Sequence, residues 1–245
     1  MKINILTIST SERLAQTVEF YNKWNWQVKL HYNDNRFPSW GRNEILEDFY
    51  NSGDEWCCIA DDDITLFEDR NETEYFLNNT LKFLNSLPQQ ITVFSGLNGV
   101  VQAVNQIQDK QAPKNVGWCF KRNWNVGKMS FIRRTPKRYY QRTDLEYSED
   151  HEYIYQHLAD GYWCGHLENI VMRERGASTL FVDPAHRKTS IDATTQKLLN
   201  LWSPLISQRN GQLNREQLMA PFEPSITIPF SHKKTVYNSL FEETA

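Results

Sequence analysis

Several absences narrow the reading first. The 245-residue chain has no run of 18 apolar residues, so it holds no candidate membrane-spanning helix. The apolar run at the N-terminus, Met1–Ser9, is too short and too interrupted for a secretory leader. There are four cysteines (Cys57, Cys58, Cys119 and Cys164), and they lack the paired spacing of a metal site. They are expected as reduced, mostly buried thiols of a cytoplasmic protein, with adjacent Cys57 and Cys58 on opposite faces of a strand. Repeats and low-complexity linkers are missing too. No Gly-rich loop follows the first apolar run, which disfavours nucleotidyltransferases and metal-dependent phosphohydrolases that cradle phosphate on such loops. Acidic residues are absent throughout 110–143.

What is present describes a packed globule. Hydrophobic residues make up 40% and aromatics 13%, too much of both for a disordered chain. The length suits one large domain or two small ones. Charge is unevenly placed. Of 27 basic residues ten lie in 110–143, leaving 17 basic against 30 acidic side chains elsewhere. Trp118, Phe120, Trp124, Phe131, Tyr139 and Tyr140 interleave with those cations. Directly afterwards, residues 144–152 hold five acids in nine positions.

The most informative stretch is Glu55–Ile64, where an apolar run stops at Asp61-Asp62-Asp63. Three adjacent like charges repel and need a reason to coexist. In an extended chain Asp61 and Asp63 share one face and Asp62 takes the other. Two carboxylates at a strand end suit a hard cation, Mg²⁺ or Mn²⁺, which commonly completes its shell with substrate phosphates. The plain alternative is a solvated acidic turn.

The surrounding pattern supplies a fold. Ile3–Ser9 reads as a strand. Ser9 and Glu12 have capping-box spacing, and Leu14, Val18 and Tyr21 continue one helical face. Trp26, Val28, Leu30 and Tyr32 alternate as a second strand ending near Asp34. Gly41–Asn51 is predicted as a helix, and Gly53-Asp54 as the turn into the strand that ends at Asp61. This β-α-β-α-β order implies parallel strands, with ligands beyond their carboxyl ends, where Asp34 and the Asp triplet fall. Further on, Thr73–Leu87 and Glu149–Ala159 are predicted helices, and Ile91–Leu97, Tyr162–Leu167 and Asn169–Arg173 strands. Residues 115–143 read as short strands and loops, Ala193–Leu201 as a helix, and the Pro-rich tail beyond 220 as an extended arm.

Gly41-Arg42-Asn43, then Asp61-Asp62-Asp63 after a strand, then Ser148-Glu149-Asp150 opening a helix, resemble in order and placement the motifs of the GT-A nucleotide-sugar glycosyltransferases. The resemblance spans roughly residues 1–175. It implies an α/β fold with a Rossmann-like mixed sheet flanked by helices, as a single domain with an irregular C-terminal region. On that basis 1–190 is expected as the catalytic domain and 191–245 as a helix and arm packed on it. It further implies a metal-dependent transferase moving a sugar from a nucleotide-diphosphate donor to a hydroxyl, with Mn²⁺ or Mg²⁺ as cofactor. Asp63 would bind the cation directly and Asp61 through water or by touching the ribose. Asp62 borders the donor or is structural. Arg42 would contact a phosphate or the base, and Asp34 the nucleoside base. A late histidine completes the metal shell in such enzymes; His186 is the expected one and His166 the alternative. Deprotonation of the acceptor falls to Asp150, with Glu149 as the alternative base. Both acids also suit the positive end of their helix without any catalytic role.

For the acceptor, Lys121, Arg122, Lys128, Arg133, Arg134, Lys137, Arg138 and Arg142 could follow phosphates while Trp124, Tyr139 and Tyr140 stack on bases. A compact transferase with one basic stripe is similar to phage enzymes that glycosylate 5-hydroxymethylated pyrimidines. That similarity implies double-stranded DNA as partner, a monomer or small homo-oligomer, no membrane, and a location in the host cytoplasm. Two other readings stay open: a transferase acting on a surface glycan or lipid-linked acceptor, and a non-catalytic module binding nucleotide or nucleic acid. The basic stripe has its own plain reading, a hairpin that balances local acids.

Overall fold

Strand Trp56–Asp61 shows how the sheet is made. Cys57 and Ile59 face one apolar layer and Cys58 and Ala60 the other, so an unbroken apolar run is satisfied on both sides. The computed structural model describes residues 1–7, 13–33, 37–67, 71–98, 118–122, 128–174, 184–203, 205–209, 212–214 and 225–228. Within them β1 (Lys2–Thr7), α1 (Leu14–Lys23), β2 (Gln27–Tyr32), α2 (Pro38–Ser52) and β3 (Trp56–Asp61) follow in the expected order. β1 pairs parallel with both β2 and β3. Then come β4 (Ile64–Leu66), α3 (Asn71–Ser86), β5 (Ile91–Asn98), β6 (Trp118–Arg122), β7 (Met129–Arg133), α4 (Glu149–Ala159), β8 (Trp163–Glu174), α5 (Pro184–Trp202), β9 (Ser207–Arg209), β10 (Gln212–Asn214) and β11 (Ser225–Ile228).

The main sheet runs β11-β6-β8-β5-β7-β3-β1-β2, with β4 added on β8. It is mixed: β5 and β8 are parallel, while β7 lies antiparallel between β3 and β5. A Rossmann-like mixed sheet flanked by helices, forming one α/β domain, is what the resemblance implies. One layer packs Phe20, Tyr21, Trp26, Phe76, Phe83, Phe94 and Phe131, joining α1 and α3 to the sheet. The opposite layer joins α2, α4 and α5 through Ile45, Phe49, Tyr153, Ile154 and Leu198. Stacked Phe94 and Phe131, with ring centroids 4.8 Å apart, sit on adjacent antiparallel strands.

Four expectations change. The runs 162–167 and 169–173 form one strand, β8, whose register against β5 slips between Gly96 and Leu97. At Gly96 a Cβ would stand 2.9 Å from the Ile170 carbonyl oxygen, so only glycine lets the strands approach there. The last helix begins at Pro184 instead of Ala193. Proline suits a first helical position because its missing N–H would have no partner there. Part of the expected arm, Ser225–Ile228, is a sheet strand antiparallel to β6. Finally, α1 starts at Leu14 with Arg13 as its N-cap, and Ser9 and Glu12 lie outside the described residues. No helix among the described residues is long and apolar enough to cross a membrane. Cys57, Cys58 and Cys164 are free and buried, and burial pushes the Cys57 and Cys164 thiols up to about 12.

A polar group deep in the second layer carries a pH consequence. The fully buried His157 ring meets Thr92 Oγ1 through Nδ1 at 3.0 Å and lies 3.9 Å from the Tyr139 ring. Burial pushes its pKa down from 6.5 to about 3, Asp160 opposing and Lys137 assisting. The folded pKa is depressed, so His157 contributes stability above the unfolded pKa of 6.5 and loses it as pH falls toward the folded value. From pH 7.5 to 5 that loss is about 2 kcal/mol. Thermal melts of His157→Gln should therefore lose less stability than the parent over this range. Parallel curves would show that the ring titrates normally in the fold.

Candidate active site

The carboxyl edge of the parallel strands gathers residues far apart in sequence. Thr7 pairs in register with Tyr32, and Leu6 with Asp61, so β1, β2 and β3 end together. Helix α2 closes tightly on this edge: a Cβ at Gly41 would stand 2.4 Å from Leu6 Cδ1 and 3.3 Å from Asn33 Oδ1. That close approach delivers the next two side chains. Arg42 Nη2 donates to Asp61 Oδ1 and Nη1 to Glu149 Oε1, both at 2.9 Å. Asn43 forms a reciprocal pair with the Gln141 backbone, Nδ2 to the carbonyl at 2.7 Å and Oδ1 from the N–H at 2.8 Å. Gly41-Arg42-Asn43 thus fastens the segment leading into α4 against the end of β3. All three sequence motifs meet here.

Electrostatics follow from this burial. Desolvation pulls the Arg42 pKa down, but Asp61 and Glu149 outweigh it and hold the guanidinium charged, above its ordinary range. Burial pushes the Glu149 carboxyl above the usual range, and an arginine shared with Asp61 does not fully offset this. Asp150, the next residue, also acts on both groups through its charge. Its Oδ1 accepts the His151 N–H at 2.8 Å. Ser148, immediately before, has φ 60° and ψ 22°, a left-handed backbone that a non-glycine residue rarely adopts.

The other two aspartates lie in the turn after β3 and share Arg13. The alternation expected to put Asp61 and Asp63 on one face and Asp62 on the other therefore does not extend past Asp61. Asp62 is buried, accepting Thr7 Oγ1 at 2.8 Å through Oδ2, while its carbonyl accepts Thr17 Oγ1 at 2.8 Å. It ties β1 and α1 to the β3–β4 turn, which is the structural role. Asp63 Oδ2 accepts Arg13 Nη1 at 2.8 Å, and Arg13 Nη2 lies 3.5 Å from Asp62 Oδ1. Burial pushes the Asp63 carboxyl up; Lys128 and Arg13 pull it down, and Asp61 and Asp62 raise it again. Sequence reasoning missed Arg13. Its signal was position: in a β-α-β unit the first turn of the crossover helix lies over the strand ends. Exposed Tyr32, at the end of β2, and exposed Phe37 and Trp40, at the start of α2, were missed as well.

The remaining expected residues are dispersed. Asp34 lies outside the described residues. His186 is in the first turn of α5 instead of a polar loop, and its side chain is outside the described residues. His166 is buried in the middle of β8, between Ser95 and Lys121 of its neighbours. Among the described residues no three His, Cys, Asp or Glu side chains gather as a metal centre. The fit to a cation therefore rests on two oxygen donors: Asp61 Oδ2 and Asp63 Oδ1 have no protein partner among the described residues, while Arg42 and Arg13 engage the second oxygen of each. A hard cation that takes further oxygens from diphosphate and water suits such a pair.

Two arginines of the basic stripe are turned inward, and its other described cations form ion pairs at the surface. Arg133, 2% exposed, donates to the carbonyls of Leu84, Leu87, Pro88 and Ile91, and its guanidinium stacks 4.4 Å from the Trp56 ring. Arg134 donates to the carbonyls of Phe49, Tyr50 and Asp54. Neither guanidinium presents itself to a nucleic-acid phosphate, which corrects the sequence reading for both. Lys128 pairs with Glu174, Lys137 with Asp160, Arg138 with Glu47 and Arg142 with Asp144. Lys121 and Arg122 are on β6, but their side chains are not described.

No family model matches the chain, and no curated protein matches it significantly. Among solved structures it is similar to A197 from STIV, at 16% identity and a TM-score of 0.47, over 72% of this chain and 86% of that one. It is also similar to a glycosyltransferase involved in the glycosylation of the major capsid of PBCV-1, at 12% identity and a TM-score of 0.30, over 64% of this chain and 66% of that one. The chain spans just under two thirds of the latter, and likeness at this level says nothing about activity.

Proposed function

We propose that the protein is a glycosyltransferase that moves a sugar from a nucleotide-diphosphate donor to a hydroxyl acceptor. The observation that carries this reading is the single arginine, Arg42, joining Asp61 at the end of β3 to Glu149 at the start of α4, beyond the carboxyl edge of parallel strands. That edge is where α/β sheets bind ligands, and both halves of a transfer reaction have a carboxylate there. Asp61 and Asp63 would hold Mn²⁺ or Mg²⁺, which supplies Lewis-acid stabilisation of the leaving diphosphate.

The chain's own groups divide the remaining work. Glu149, locked to Arg42, braces the site instead of serving as the base. Asp150 takes the proton of the acceptor hydroxyl as its oxygen bonds the anomeric carbon and the sugar–phosphate bond breaks toward the nucleotide. The left-handed Ser148 supports this assignment, since strained backbone persists where it sets a functional geometry. Tyr32, Phe37 and Trp40 offer stacking faces for a base or a sugar ring. A hydroxymethylated base in duplex DNA keeps support as acceptor from Lys128, Lys137 and Arg138, because exposed ion pairs are worth only about 0–1 kcal/mol and can exchange for phosphates.

The test is a thermal-shift panel of UDP-, GDP- and CDP-sugars with Mn²⁺, followed by assay of nucleoside diphosphate release with glycan and hydroxymethylated-duplex acceptors. A cognate donor should raise the melting temperature by mass action. Asp150→Asn should keep that shift and lower turnover about 10²-fold or more. A panel in which no donor moves the melting temperature would dispose of the transferase reading.

A further inference from the structure

Arg13 is the one cation in direct contact with Asp63 among the described residues, and its position has a consequence for how the site loads. The residue is the N-cap of α1, and its guanidinium reaches the turn that follows β3. Its guanidinium is forked: Nη1 sits 2.8 Å from Asp63 Oδ2 and Nη2 3.5 Å from Asp62 Oδ1. The two aspartates differ in how far they depend on it. Asp62 has a second partner, Thr7 Oγ1 at 2.8 Å, and its main chain is bonded by Thr17. Asp63 has no other hydrogen-bonding side chain among the described residues, although its side chain is only 5% exposed. Arg13 itself is 32% exposed, so solvent offers it somewhere to go. Lys128 acts on Asp63 by charge alone, because its amino group is bonded to Glu174 at 3.1 Å.

We propose that Arg13 is a resident counter-ion that occupies Asp63 in the empty site and must leave it when a divalent cation arrives with a diphosphate. This rests on the transferase reading above and deepens it. Without a cation, a nearly buried carboxylate beside two others is costly, and a paired guanidinium relieves that cost. When a cation bonds Asp63, its double charge stands a few ångströms from the guanidinium on Oδ2, and that repulsion drives the partly exposed arginine outward. There it faces the incoming phosphates, which a guanidinium binds through two parallel N–H bonds. The exchange makes metal and nucleotide binding mutually reinforcing. Metal alone has to displace Arg13 into water, whereas metal with diphosphate gives the arginine a new partner.

The measurement is Mn²⁺ affinity, read by electron paramagnetic resonance of free Mn²⁺, with and without the donor nucleotide diphosphate. Arg13→Gln should tighten binding of Mn²⁺ alone about tenfold, the order expected when a unit positive charge a few ångströms from the cation is removed. The same variant should lose the reinforcement between metal and nucleotide. Arg13→Lys, which keeps the charge and can still pair with Asp63, should stay close to the parent in Mn²⁺ affinity and guards against a variant that folds poorly. Lys128→Gln removes an equal charge that makes no contact with Asp63, and should tighten Mn²⁺ only about two- to threefold. Equal effects of Arg13→Gln and Lys128→Gln would reduce Arg13 to background charge and overturn the exchange. Weaker Mn²⁺ binding in Arg13→Gln would make Arg13 a permanent support for Asp63 and overturn it too. If the parent and every variant ignore Mn²⁺ even with nucleotide, the metal-dependent transferase reading falls and the exchange falls with it.

Discussion

Arg133→Met should destabilise the protein by about 3–5 kcal/mol, the cost expected when a buried charged group that satisfies several partners is removed. Arg133 ends β7 and Arg134 follows it, and the chain's continuing alternation sends them to opposite layers. Arg133 reaches the C-terminal end of α3 and donates to the carbonyls of Leu84, Leu87 and Pro88, of which Leu84 also accepts the Leu87 N–H and Pro88 the Ile91 N–H. Methionine would fill much of the volume and lie against Trp56, but it donates nothing. Leu84 and Pro88 would each keep one backbone donor, but the Leu87 carbonyl would be left without one, at about 1–3 kcal/mol before relaxation, and the charged hydrogen bonds to all three would be lost. The nearest charge, Glu55 at 3.3 Å from Nε, is half-exposed and tolerates the loss. Denaturant unfolding of the variant checks this, and a change under 1 kcal/mol would mean that water already reaches the end of α3. Arg134→Met should cost less, because Phe49 and Tyr50 offer their carbonyls at a helix end that is partly open to solvent. A duplex-binding comparison that replaced Arg133 would therefore report on folding before it reported on DNA.

The same two residues show where the sequence could be read and where it could not. The first five elements were legible because their apolar spacing is local: β3 alternates between two layers, and α2 repeats Ile45, Leu46, Phe49 and Tyr50 along one face. The three motifs were legible as a set because each lies close to the end of an element near the carboxyl edge, although α2 starts at Pro38 and not at the expected Gly41. What stayed hidden was the direction of long polar side chains. Ten cations within 34 residues look like an electrostatic footprint when only composition is seen. Whether a guanidinium points at solvent or at a helix end is fixed by tertiary neighbours such as α2 and α3, which lie tens of residues away. Arg13 was hidden for the same reason, its partners Asp62 and Asp63 being 49 and 50 positions distant. The β8 slip opposite Gly96 depends on the approach of the Ile170 carbonyl, which no periodicity encodes.

Arg42→Met should lower stability by about 3–5 kcal/mol at neutral pH and should do so with a pH dependence opposite to that of His157. The substitution leaves Asp61 and Glu149 facing each other without the charge that joins them. Glu149 already has a pKa raised by burial, and removing Arg42 raises it further. A carboxyl whose folded pKa exceeds its unfolded value costs stability above the folded pKa, and that cost disappears as pH falls through it. The deficit of the variant relative to the parent should therefore shrink on acidification from pH 7.5, while the parent loses its His157 contribution over the same range. Arg42→Met with Glu149→Gln should recover part of the neutral-pH deficit, because a buried amide carries no charge to strand. If the double variant is instead as unstable as the single one, the deficit comes from lost packing of the arginine stem against the strand ends. Activity separates the roles again. Arg42 positions both carboxylate motifs, so restoring stability through Glu149→Gln should leave donor turnover low, whereas Arg42→Lys, able to hold one carboxylate but not both, should fold well and turn over slowly.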